Sequence, residues 1–117
     1  MDQIEMRIRR IVPAQAVVTR RSTSGCNDTI YDASWQLGDD PDPERKHKRS
    51  KTIEIHEPYE MVEDLLGYTE AQRVQVFDRL SLFLEAKYSV FDPSNSVAKS
   101  APAPVEVWII PPEVWSI

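Results

Sequence analysis

The sequence predicts an α+β domain: a mainly antiparallel sheet of about five strands, with two helices inserted before the last strand and packed on one face. Three observations predict it. Several short segments in the first half alternate apolar and polar residues and are separated by turn formers. A T-x-x-Q capping box at Thr69 and Gln72 opens a long stretch with apolar residues at helical spacing. The branched run from Val105 to Ile110 comes last and is stopped by Pro111 and Pro112.

Ile4, Met6 and Ile8 alternate with Glu5, Arg7 and Arg9, a period of two that predicts a first strand ending or bulging before Pro13. Ala16 to Arg20 is the second strand, and the turn formers of Ser22 to Asp28 separate it from a third. That third strand runs from about Thr29 to Leu37, with Tyr31, Ala33, Trp35 and Leu37 on one face and Ile30, Asp32, Ser34 and Gln36 on the other. In the fourth, Ile53 and Ile55 point inward and Glu54 and His56 outward. Pro58 suits the first turn of a short helix, and Gly67 suits its end. A second helix, about Glu70 to Tyr88, carries Val74, Phe77, Leu84 and Tyr88, with Val76, Leu80 and Phe83 widening the stripe. In the last strand, Val105, Val107 and Ile109 form one apolar face.

A chain of 117 residues fits one domain, 1–117, comprising a charged loop (39–50), a proline- and serine-rich connection (92–104) and a C-terminal tail (111–117). No apolar run approaches the roughly 20 residues that span a bilayer, and the N-terminus lacks the apolar core of a secretory signal. One cysteine, Cys26, excludes an intramolecular disulfide and a cysteine-rich zinc site. These features predict a cytoplasmic protein with no membrane partner, no metal and no cofactor. The net charge of −5 is unevenly spread. Residues 1–27 carry five bases and two acids (+3), residues 28–52 five and six (−1), and residues 53–117 four and eleven (−7).

The run Asp39 to Lys51 is the most charged stretch. Arg45, Lys46, Lys48, Arg49 and Lys51 are candidate phosphate contacts, but Asp39, Asp40, Asp42 and Glu44 neutralise all but one of their charges. No aromatic residue interleaves with the bases to stack on a nucleobase. A solvated loop outweighs a nucleic-acid arm. Glu54 and His56, on one strand face, are candidate ligand-binding residues or an acid–base pair. Alternating charges on the wet side of a sheet give the same pattern, nothing brings either histidine near Cys26, and no Ser-His-Asp order, phosphate loop or zinc helix is present. The balance therefore falls against an enzyme.

The last strand carries an anomaly, because Trp108 and Ile110 lie on the face that should be wet. Either the monomer buries both faces, or a second chain covers one. The second expectation predicts an interface of Trp108, Ile110, Trp115, Arg7 and Arg9. The leading function is then a non-catalytic binding module that self-associates through its sheet and C-terminal strand, as a homodimer with room for a further protein or small-molecule partner. One alternative is a nucleic-acid-binding regulator using the run 45–51 with Arg7, Arg9, Arg20 and Arg21. The other is a small enzyme or ligand-binding protein with Glu54 and His56 in a dimer cleft.

Overall fold

In the computed structural model, which describes residues 2–23, 25, 27–37, 49–94 and 104–117, the chain opens with a helix. Helix α1 spans Gln3–Ile11. The expected first strand is corrected here. Ile4 and Ile8 are separated by four residues, a spacing that fits a period of two and of 3.6 alike. Local signals decide for the helix. Asp2 caps it, its Oδ1 accepting from the backbone N–H of Ile4 at 2.7 Å and of Glu5 at 3.3 Å. Glu5 lies in the first turn and Arg9 and Arg10 in the last, the charge order that suits the helix dipole.

The remaining order is β1 (Val17–Ser22), β2 (Thr29–Ser34), β3 (Thr52–Glu57), α2 (Tyr59–Gly67), α3 (Glu70–Ser89), β4 (Val105–Ile109) and α4 (Pro112–Trp115). Among the described residues the sheet is four-stranded, in the order β1-β2-β3-β4, and mixed, where about five mainly antiparallel strands were expected. β1, β2 and β3 pair antiparallel, β1 with β2 across the short connection 23–28 and β2 with β3 across the longer stretch 35–51. β4 pairs parallel to β3, because the α2–α3 crossover returns the chain in the same direction.

The helices share one face of the sheet. Ile4 and Ile8 of α1, Met61 of α2, Val76, Leu80 and Leu84 of α3 and Trp115 of α4 close over Val18, Tyr31, Ala33, Ile53, Ile55 and Trp108. The buried line of α3 runs through Val76, Leu80 and Leu84, whereas Val74, expected on it, is exposed. Phe91 links the end of this helix to the sheet, with its ring 6.0 Å from Trp35 and 5.9 Å from Trp108, both edge-on.

The capping box forms as the sequence predicts. Gln72 N–H donates to Thr69 Oγ1 at 3.2 Å and Thr69 N–H to Gln72 Oε1 at 2.9 Å. Replacing Thr69 by Ala should lower stability by about 1 kcal/mol. Urea denaturation of the two proteins checks this; an unchanged midpoint would show that packing alone holds the helix start.

Among the described residues, no helix is long and apolar enough to cross a membrane.

Candidate functional site

Strand parity places two rows across the face of the sheet that the helices do not cover. One runs Arg21, Ile30, His56, Ile109; the next runs Thr19, Asp32, Glu54, Val107. Polar groups occupy the middle of these rows apart from Ile30, which is buried although it was expected on the wet face, and apolar groups occupy the β4 side. Arg21 bridges two strands, with Nε 2.9 Å from Asp32 Oδ2 and Nη2 3.3 Å from Glu54 Oε2. The hydrogen bond that Arg21 donates to Asp32 raises the pKa of its guanidinium above the ordinary value, and the two carboxylate charges add to the effect.

Glu54 and His56 do meet, with His56 Nε2 2.6 Å from Glu54 Oε1. With Glu54 ionised, this contact keeps the ring proton on Nε2, because a carboxylate only accepts. Both Glu54 oxygens are thus engaged, one by His56 and one by Arg21. The group is a cross-strand ion network laid on the surface of the sheet. Arg49 reaches the same face, its Nη2 donating to Ser34 Oγ at 3.0 Å.

β4 supplies the apolar border. Val105, Val107 and Ile109 are 49%, 49% and 61% exposed. This reverses the expected parity. Trp108 and Ile110 point to the helices and are buried within the single chain, as is Trp115. Trp108 lies beside Ile55 in the parallel register, and its indole N–H donates to Glu106 Oε2 at 2.7 Å. Trp115 is fixed by Nε1–H to Asp64 Oδ2 at 3.0 Å, and its carbonyl accepts from Tyr68 Oη at 2.7 Å. On β4 the large indole of Trp108, with Ile110 beyond it, outweighs three branched side chains in the competition for the covered side. These three residues therefore belong to the core and not to a surface between subunits.

Arg7 and Arg9 are also displaced from the sheet, because their segment is α1. Arg7 donates from Nε to the Phe77 carbonyl at 3.1 Å and lies 4.9 Å over the Phe77 ring. Arg9 pairs with Glu5 one turn away, at 3.6 Å. Gln3, Arg7, Glu70, Arg73, Val74 and Phe77 line an open groove between α1 and α3 that the strand reading of residues 4–11 could not foresee. Of the basic run, Arg45, Lys46 and Lys48 lie outside the described residues, as do the four acids Asp39, Asp40, Asp42 and Glu44. Lys51 stands just before β3, and its backbone N–H donates to the Pro93 carbonyl at 3.1 Å.

A second cluster was not anticipated. Glu57 is only 7% exposed, on the covered side of β3. Its pKa is pushed up to about 7, first by burial and then by the nearby charge of Asp2, with Arg20 acting in the opposite sense. Tyr31 Oη donates to Asp2 Oδ2 at 2.6 Å, and Arg20 Nη1 stands 3.6 Å from that same oxygen. Asp2 thereby ties α1 to β1 and β2. The alternation that turns Ile53 and Ile55 inward also turns Glu57 inward, so a signal for this residue was present. Among the described residues, no group of three or more His, Cys, Asp or Glu side chains is placed to hold a metal ion.

No family model matches the chain, and no curated protein or solved structure matches it either.

Proposed function

We propose that the protein is a non-catalytic binding module that associates with a second copy of itself through its sheet and its last strand. The observation that carries this reading is the row Val105, Val107 and Ile109, about half exposed or more beside the Arg21–Asp32–Glu54–His56 network. Exposed apolar rows rimmed by polar groups are characteristic of association surfaces. Catalysis is a weaker reading, since the acid and base that could act are already satisfied by each other and by Arg21.

Sedimentation from about 1 µM to 1 mM, the range in which small interfaces operate, tests the proposal. The wild type is expected to form dimers reversibly. Ile109→Lys, at a position exposed in the monomer, should stay folded and shift the midpoint at least about tenfold towards higher concentration. A wild type that remains monomeric at 1 mM ends the reading.

A further inference from the structure

We infer that the second copy docks edge to edge, its β4 pairing antiparallel with β4 of the first chain about a twofold axis at Val107, so that two four-stranded sheets become one. The inference rests on the self-association reading and specifies its geometry.

The backbone of β4 is half used. Ile110 N–H donates to the His56 carbonyl at 3.1 Å, and Thr52 N–H donates to the Pro104 carbonyl at 3.0 Å. In a parallel ladder, alternate residues of a strand turn their N–H and C=O groups to the same neighbour. Pro104, Glu106, Trp108 and Ile110 therefore face β3, while Val105, Val107 and Ile109 offer both groups outward. Among the described residues, no strand pairs along that side, and β4 ends the sheet.

The pattern of the strand fits a copy of itself. With Val107 opposite the partner's Val107, Val105 meets the partner's Ile109 on the open face, and every pair there is branched and apolar. On the other face Glu106 meets the partner's Trp108, so the two Glu106 carboxylates are never directly opposed. Glu106 already accepts from the indole of its own chain, a contact of the same chemistry.

The ends and the opposite edge favour a closed pair over a growing sheet. Pro104 before the strand and Pro111 and Pro112 after it cannot extend a ladder, which confines pairing to the five residues. β1, the other edge, exposes Arg20 and Arg21, charges that discourage further strands. A twofold operator at β4 then consumes the edge that lacks such charges, and the assembly stops at two. Five paired residues bury far less than the roughly 1,600 Å² of a standard interface, so the dissociation constant should be on the order of 10–100 µM.

Disulfide trapping in a Cys26→Ser background tests the register. Directly paired residues lie about 5.5 Å apart between Cα atoms, within disulfide reach, whereas two copies of residue 105 would stand about 14 Å apart. Val107→Cys should cross-link to itself under mild oxidation, and Val105→Cys should cross-link to Ile109→Cys in a mixture but not to itself. Val107→Pro, which removes only an outward N–H, should keep the fold and weaken dimerisation at least about tenfold. A wild type that dimerises while Val107→Pro dimerises equally well, or while Val105→Cys cross-links to itself as readily as Val107→Cys, overturns the edge pairing but leaves self-association standing. A wild type that is monomeric at 1 mM overturns both.

Discussion

Trp108→Glu should lose its fold, with far-ultraviolet circular dichroism collapsed at room temperature. The indole is 2% exposed, neighbours Ile55 in the sheet and meets Phe91 edge-on with an interplanar angle of 87°. Removing such a side chain costs about 3–5 kcal/mol in packing alone. The incoming carboxylate would also be buried close to Glu106, a like charge in place of the indole N–H that Glu106 now accepts. An unpaired buried charge adds several kcal/mol more. The sum approaches the whole stability of a small domain, about 5–15 kcal/mol. Trp108→Phe, which keeps an aromatic body, should remain folded and be destabilised by about 1–3 kcal/mol in urea. A folded Trp108→Glu whose only change is the loss of dimers would instead put this residue between subunits.

Glu57→Gln should stabilise the protein at pH 8 and leave it nearly unchanged at pH 4.5. Burial lifts the folded-state pKa of Glu57 from an ordinary 4.5 to about 7, so the folded state holds this proton more tightly than the unfolded chain does. Below about 4.5 both states are protonated and the site is neutral in its effect. As pH climbs from 4.5 to 7 the unfolded state releases its proton first, and stability falls; above 7 both are ionised and the loss is complete. At about 1.4 kcal/mol per pH unit, the loss amounts to about 3 kcal/mol. The amide has no proton to lose and escapes this penalty, so the variant should gain up to about that amount at pH 8. Urea midpoints at the two pH values read the difference directly. Equal pH dependence in both proteins would show that Glu57 ionises without strain, through solvent or through Arg20.

Glu57 also shows how far the chain could be read in advance. The β2 and β3 alternations were legible, and the structure buries Tyr31, Ala33, Trp35, Ile53 and Ile55 on the side they indicate. The same parity, followed two residues further, reaches Glu57, but the cost of burying a carboxyl argues against continuing the pattern. The Thr69–Gln72 box was legible because both of its hydrogen bonds join residues three apart. At the candidate face, Glu54 and His56 were legible as neighbours two residues apart on one strand. Their third partner, Arg21, was not, since it comes from β1 and reaches them across β2.

The sequence by itself determined the α+β class, the two central helices with the capping box of the second, and the inward faces of β2 and β3. Each of these depends on residues within a few positions of one another, where capping, turn formation and side-chain period act directly. Tertiary structure completed one choice that local signals had begun, and alone decided two. Residues 4–11 became helical because Ile4 and Ile8 fit both periods, and the Asp2 cap, joined to Tyr31 of β2 and Arg20 of β1, settled the choice. β4 joined β3 in parallel because two helices intervene between them. Its Trp108 turned inward and its Val105, Val107 and Ile109 outward because a strand with apolar residues on both faces has no parity of its own. Its covered side is set by whatever packs on it. Here that is Phe91 at the end of α3 and the core behind Ile55, groups distant in the chain and brought together only by the fold.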